Sequence, residues 1–487
     1  MPNNNLNVMI LNLPSPPYLE VCRDWAGGFG TARRVKRRAD YGHSGKPTLH
    51  PFLGYASGVL SNEDYSYSVL DCQRLKLNKF QVLGDVKKRD PDVIFSLIGL
   101  PSLKKDLKLL DMIKEALPNT TIVGVGTSCR FLQNDILLNS KIDAVLRTSY
   151  PYVSNLTDFL QALQLKQNLK KVPGISYVKS GKIINTVEAP DTDLEKLLPP
   201  DYDSLELNGY ESFVDLDGNQ YIYVPILGSR GCPYPCIYCP YPLGFGKKCT
   251  FRSPNDIVHE IEERYARGVK GFLFRDQSFA INEKHAVKIC EEIIDRKLDI
   301  AWVCEARVDH ISKRLLEMMK KAGCRQIHYG VETGDPELIK LAKPQTDLDT
   351  IRKAFRLTKE IGLYTTAHII LGWPDETLES LEKTCRFVGE LAPHNVNWNV
   401  LTPYPGTKLY EMAKESNLIL TDDWSKYTSH SVVMKTKWLN AEQLNEAIGK
   451  IVRNYWKQKV MSLLQYARRK PRFTLNELKE YVKGYFM

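Results

Sequence analysis

Three thiols set the chemistry of this 487-residue chain: Cys232, Cys236 and Cys239 lie within eight residues of one another in Gly-Ser-Arg-Gly-Cys-Pro-Tyr-Pro-Cys-Ile-Tyr-Cys-Pro. Thiolates this close in sequence reach one metal centre only if the backbone curls around it. Gly231, Pro233 and Pro235 favour such a loop. Three thiolates without a nearby fourth Cys or His suit neither a closed structural zinc site nor a ferredoxin cluster, both of which want four ligands. Cys249, ten residues on, is a candidate fourth ligand. A 4Fe–4S cluster held by three thiolates leaves one iron open, and an open position is what a metal site needs to hold a substrate or cofactor.

The other seven cysteines (Cys22, Cys72, Cys129, Cys290, Cys304, Cys324 and Cys385) stand alone, as small buried hydrophobes usually do. An odd total of eleven, irregularly spaced, is not a disulfide scaffold, and a reducing cytoplasm is the expected setting. The start of the chain has no basic residue before its short apolar stretch, so it reads as a first strand rather than a signal peptide. No apolar run approaches the roughly 20 residues of a membrane-spanning helix. Hydrophobic residues at 43% and charged residues at 25% exclude a disordered or fibrous chain.

The elements that must position the thiols alternate strand and helix. Apolar runs at residues 6–13, 67–72, 91–100, 121–126 and 142–146 read as buried parallel strands, with a helical pattern at 103–117 closed by Pro118. Five such strands predict a doubly wound open sheet, with its ligand crevice at their carboxyl ends. Small residues cluster there, among them Ser102, Gly126 and Thr127. A hairpin around Ser180-Gly181 and the Pro199-Pro200 pair follow. Strands at 221–227, 270–275, 300–307, 326–332, 365–371 and 395–402 each feed a helix, except that the last runs into a turn. That pattern is a (β/α)6 partial barrel, with its site at the carboxyl ends of the strands. The α/β chain is thus divided into a doubly wound domain (1–155), a linker with a hairpin (156–210), a barrel (211–415) and a helical basic extension (416–487).

The Cys-x3-Cys-x2-Cys pattern, with Tyr238 just before the last Cys, resembles the signature of the radical S-adenosylmethionine (SAM) superfamily. The resemblance implies a 4Fe–4S cluster on Cys232, Cys236 and Cys239 whose open iron chelates SAM, and reductive cleavage to a 5′-deoxyadenosyl radical. It further implies that Asp276, Glu305, Arg307 and Glu332 at the strand ends line the SAM site, with Tyr238 near the adenine. The turns Gly372-Trp373-Pro374-Asp375-Glu376-Thr377 and Pro403-Tyr404-Pro405-Gly406-Thr407 are similar to those of cobalamin-domain and methylthio-transferring members. A five-stranded domain ahead of the barrel resembles the cobalamin-binding domain of the superfamily's cobalamin-dependent class. Ser102, Gly126 and Thr127 are then the cobalamin candidates. The Asp-x-His-x-x-Gly motif that supplies an axial histidine in many cobalamin proteins is missing from residues 1–150.

The layout is most similar to the anaerobic porphyrin-ring cyclase and to tailoring enzymes of hopanoid or archaeal lipids. It implies radical methylation or carbon–carbon bond formation on a hydrophobic substrate, a lipid among the options, with electrons from an external ferredoxin or flavodoxin and no nucleic acid. An RNA methylthiotransferase is the alternative enzyme; it would need three further cluster cysteines, for which Cys22, Cys72 and Cys129 are the right number, and a small terminal β-barrel. A non-catalytic iron–sulfur sensor or scaffold is the alternative outside catalysis. The sequence names no residue that acts on the substrate itself. Residues 446–487 hold ten Lys/Arg against three Asp/Glu, so most of the net charge of +10 falls there. With Tyr455, Trp456, Leu463, Leu464 and Tyr466 interleaved, this tail reads either as a solvated helix face or as a peripheral contact with a membrane surface. A second basic cluster spans Arg33 to Arg38.

Overall fold

The computed structural model describes residues 6–17, 19–34 and 46–469. Its first half comprises β1 (Asn7–Asn12), a hairpin of β2 (Leu19–Cys22) and β3 (Thr31–Arg34), α1 (Pro51–Asn62), β4 (Ser66–Asp71), α2 (Lys79–Arg89), β5 (Val93–Leu97) and α3 (Leu103–Ala116). Then come β6 (Thr121–Val125), α4 (Thr127–Phe131), α5 (Gln133–Leu138), β7 (Ala144–Leu146), α6 (Leu156–Gln164), β8 (Ile175–Lys179) and β9 (Lys182–Asn185). The sheet order is β4-β1-β5-β6-β7-β8-β9. The first five strands run parallel, and β8 and β9 add an antiparallel edge. Every residue of β5 is buried, because helices cover both faces, and this is why the strand reads as an unbroken apolar run. The hairpin assigned from sequence to the linker therefore belongs to the first sheet. Ile175, Ser176 and Tyr177 are buried against β7, which fixes it there.

The second half holds β10 (Ser212–Val214), β11 (Gln220–Ile226), β12 (Ser229–Arg230), α7 (Tyr241–Phe245), β13 (Thr250–Phe251), α8 (Pro254–Ala266), β14 (Gly271–Phe274), α9 (Glu283–Asp295) and β15 (Ala301–Ala306). It continues with α10 (Lys313–Lys321), β16 (Cys324–Glu332), α11 (Pro336–Ala342), α12 (Leu348–Ile361), β17 (Tyr364–Leu371), α13 (Leu378–Leu391), β18 (Asn395–Val400), α14 (Lys408–Glu415) and α15 (Ala441–Arg469). The strands follow chain order, β10-β11-β14-β15-β16-β17-β18, and β11 does not close onto β18. Six parallel strands in sequence order with helices between them form an open (β/α)6 arc. Residues such as Cys304, Ile327, Tyr329, Ala367 and Ile369 pack outward into the main core with the helices. The alternate positions carry Glu305, His328, His368 and Asn397 on the concave face, where Glu305 is level with His328 and His368 with Asn397, while His328 is level with Thr366 of β17.

The two halves are tied together. Arg275, just past β14, pairs with Asp24 of the first half at 2.7 Å, both side chains 2% exposed. Tyr150 stacks on Phe245 of α7 at 4.0 Å. The terminal helix corrects one expectation. Leu444, Ala447, Ile451 and Tyr455 recur at helical spacing and are buried against the barrel, Tyr455 edge-on to Trp398 of β18 at 5.3 Å. Lys459 donates to the carbonyls of Pro393 and His394. The apolar face of this stretch of α15 is spent on the protein, so up to Lys459 it is no membrane-facing surface. The side chains of Leu463, Leu464 and Tyr466, residues 470–487 and the basic cluster beyond Arg34 lie outside the described residues. Among the described residues no helix is long and apolar enough to cross a membrane.

Candidate active site

The cysteine loop hangs from the end of β11 and is fixed there by side chains from the next parallel strand. Past β14, Asp276 accepts the Gly228 N–H at 2.9 Å and the Ser229 hydroxyl at 2.5 Å. Gln277 accepts the Gly231 N–H at 2.9 Å. β12 and β13 pair antiparallel at the base. Gly231 has φ 91°, and a Cβ there would stand 2.0 Å from the Lys248 carbonyl oxygen, so only glycine fits. At the tip the Cys239 N–H returns to the Cys236 carbonyl at 3.2 Å, and Cys232 N–H reaches Gly246 O at 3.1 Å. Asp276 thus holds the turn with both carboxylate oxygens. Burial raises its pKa to about 6, opposed by the Ser229 hydroxyl and the Gly228 N–H.

Burial pushes the Cys232 and Cys236 thiols up, while the Arg307 and Lys343 cations pull them down. Cys239 is raised well above its ordinary value by burial and then by Cys236. Cys249 sits at the loop base, raised to about 12 by burial and by Asp276. It lacks the cations that face Cys232 and Cys236. Among the described residues no three His, Cys, Asp or Glu side chains are placed to hold one metal ion. A four-iron cluster imposes no such convergence, since each thiolate takes a different iron.

Around the thiols stand the strand-end residues. Arg307 lies over the Tyr234 ring of the loop, 3.6 Å from its centroid, and forks onto Asp309 at 2.7 and 2.9 Å. Its backbone N–H is held by Ser278. The Tyr234 hydroxyl meets Nε2 of His310. Glu332 ends β16 at φ 69°, nearly buried, and pairs with Lys343 at 3.0 Å; Lys343 also donates to Gly330 O at 2.7 Å. Tyr238 packs edge-on against Trp373 at 5.3 Å. Burial and then the Glu332 carboxylate raise its hydroxyl. Glu305 is one-fifth exposed, 3.6 Å from Arg275. The fold therefore brings Arg307, Glu332 and Tyr238 around the loop, sets Glu305 further round the concave face, and gives Asp276 to the loop's backbone. Sequence reasoning missed Lys343, Tyr234, Asp309 and His310. Lys343 carries no signal of its own, because only the fold returns the end of α11 to Glu332.

At the carboxyl ends of the first sheet the candidate hydroxyls are already engaged. Ser102 donates to Asp106 at 2.7 Å, and Asp106 pairs with Arg23 at 2.7 Å. Thr127 donates to Gly27 O at 2.6 Å and receives the Tyr152 hydroxyl at 2.9 Å. Gly126 has φ 125° and lies against Ile98 O. These three hold residues 23–30 over the strand ends. Unspent buried polar atoms of this region include His50 Nε2 and Ser128 Oγ, while the Tyr150 hydroxyl faces the Asp24 carboxylate. His50 Nδ1 accepts the Phe52 N–H, so Nε2 carries the ring proton.

A sequence model of the radical SAM superfamily matches residues 226–388. An uncharacterized methyltransferase of Pyrococcus horikoshii is 30% identical over 83% of this chain and 87% of its own length. The anaerobic magnesium-protoporphyrin IX monomethyl ester cyclase of Rubrivivax gelatinosus is 26% identical over 89% of this chain and 79% of its own. The solved structure of the cobalamin-dependent S-adenosylmethionine radical enzyme OxsB, with aqua-cobalamin and S-adenosylmethionine bound, shares the fold. It has a TM-score of 0.74 at 16% identity and covers 98% of this chain and 70% of its own. With a three-thiol loop at the carboxyl ends of a (β/α)6 arc and a relative of this identity along most of both chains, the protein belongs to the radical SAM superfamily.

Proposed function

We propose that this chain carries a 4Fe–4S cluster on Cys232, Cys236 and Cys239, binds SAM beside it, and works with cobalamin as a methyltransferase or carbon–carbon bond-forming cyclase on a hydrophobic substrate. The observation that carries the reading is the loop itself, three thiols pinned by Asp276 and Gln277 with Arg307, Lys343 and Glu332 around them. When bound, the cluster supplies the electron that cleaves SAM, and cobalamin supplies a methyl carrier. The chain's residues do the rest. Arg307 and Lys343 favour the thiolate form that metal ligation requires. Glu332 and the two cations offer opposite charges to the ammonium and carboxylate of a methionine zwitterion. The Tyr238–Trp373 pair gives an apolar wall beside them. Corrin amide groups would find partners in His50 and Ser128, whose buried polar atoms are unspent. Electrons come from an external donor such as a ferredoxin or flavodoxin.

The methyltransferase and cyclase among the relatives support the reaction type, and the cyclase's macrocyclic ester supports an apolar substrate. The RNA-modifying alternative has less support. Cys72 and Cys129, two of the three further cysteines it would need, are 0% exposed in the core of the first sheet. The test is an anaerobic assay of reconstituted protein with SAM and a reductant. Expected are about four iron and one cobalt per chain, 5′-deoxyadenosine formation, and its loss in Cys236→Ala. No 5′-deoxyadenosine, free or joined to substrate, would overturn the radical reading; a scaffold would show none even in the wild type.

A further inference from the structure

Two histidines on the concave face take no part in the site above. His328 on β16 and His368 on β17 set their rings 5.5 Å apart at 49°. Glu305 is the register neighbour of His328, and Asn397 that of His368. His328 lies four residues before Glu332 along the same strand, deeper in the arc than the thiol loop, while His368 is level with Gly330, beside the Glu332–Lys343 pair. Nδ1 of His328 and Nε2 of His368 are buried and have no hydrogen-bond partner. Such atoms are rare in folded proteins and call for an occupant.

Near the pair the carboxylates outnumber the cations by one. Arg275 is met by Asp24 and Glu305, and Lys343 by Glu332. Burial lowers both imidazoles, His368 against the pull of Glu305 and Glu332, so the rings are neutral. The chamber therefore offers neutral hydrogen-bonding groups and no spare cation. A carboxylate or phosphate entering it would be desolvated without a counter-ion, at a heavy cost. An uncharged acceptor or donor would pair with what is left open.

We propose that His328 and His368 form the substrate-anchoring site of the barrel, taking an uncharged polar group (ester, ketone, amide or hydroxyl) at the end of an apolar substrate. The inference rests on the barrel being the reaction chamber, and deepens that reading by naming the chemistry of the group that enters it.

The test uses the full chain with its cluster reconstituted and the histidine ring carbons labelled with 13C, and follows the nine histidine resonances by NMR. Methyl octanoate, octanoate and octylamine are the probes, alike in their apolar chain and different in charge. His328→Gln and His368→Gln assign the two signals, and the seven unaltered signals report that each variant is folded. Methyl octanoate is expected to shift both signals, with octanoate needing at least about tenfold higher concentration. His328→Phe and His368→Phe should weaken the ester at least about tenfold, and the Gln variants, which keep a donor and an acceptor, less so. If the ester leaves both signals in place, or octanoate matches it, or octylamine binds more tightly than it, the proposal fails. The 5′-deoxyadenosine assay on the wild type is independent, so failure of the radical reading shows there and failure of the anchor shows here.

Discussion

Glu332 adopts φ 69°, a left-handed position that costs a non-glycine residue about 1–3 kcal/mol and persists only where neighbours enforce it. Lys343 is the enforcer, bonded to the Glu332 carboxylate and to the Gly330 carbonyl. Lys343→Met should leave a buried carboxylate without its cation, costing about 3–5 kcal/mol, and should lower SAM affinity at least tenfold in equilibrium dialysis. Unchanged SAM affinity would remove Lys343 from the site. Glu376 makes a different prediction. Its carboxylate accepts the N–H groups of Gly372 and Trp373 and the Ser380 hydroxyl, yet burial raises its pKa from 4.5 to about 7. A carboxyl raised on folding contributes stability below its unfolded pKa and loses it as pH climbs through the folded value. Between pH 4.5 and about 7 the wild type should therefore lose up to about 3 kcal/mol relative to Glu376→Gln, whose amide can satisfy the same partners. Urea unfolding across that window checks it; parallel pH profiles would mean the carboxylate is not desolvated.

At the level of elements, the loop's closure depends on one turn. An alanine Cβ at Gly231 would collide with the Lys248 carbonyl at 2.0 Å, and backbone cannot yield as a side-chain tip does. Gly231→Ala should cut iron content below half of wild type while leaving the far-UV circular dichroism unchanged; full iron loading would show that the turn does not shape the loop. The elements themselves were legible where burial forces a pattern. The five parallel strands of the first sheet read as apolar runs between turns, and the six parallel barrel strands as segments apolar on the face that helices cover. The hairpin β2–β3 did not, since four-residue strands around Gly27, Gly28 and Gly30 carry no period long enough to read. The Cys loop was legible because ligand spacing is local. Lys343, Tyr234 and the histidine pair were not, because strand register and chain return bring them together.

On the scale of the whole molecule, the least legible feature is the bond between the halves. Asp24 and Arg275 are 251 positions apart in the chain, and neither sits in a motif that points to the other. The first sheet, its strand-end segment 23–30 and the barrel meet at this pair. Arg275 then passes the contact on to Glu305 inside the arc and lies against the Trp25 ring at 5.1 Å. Two charges taken this far out of water are favourable only together, so removing one strands the other. Asp24→Asn should therefore cost about 3–5 kcal/mol, seen as a lower unfolding midpoint, with faster hydrogen exchange along residues 23–30 and at α7. Replacing both partners, Asp24→Leu with Arg275→Met, should recover much of that loss, because apolar residues of similar size carry no desolvation penalty. The double-mutant cycle separates two accounts of the contact. Strong coupling with rescue makes it the tie that registers the first sheet on the barrel. If the two losses merely add, packing around Trp25, Tyr150 and Phe245 holds the halves, and the ion pair is a passenger.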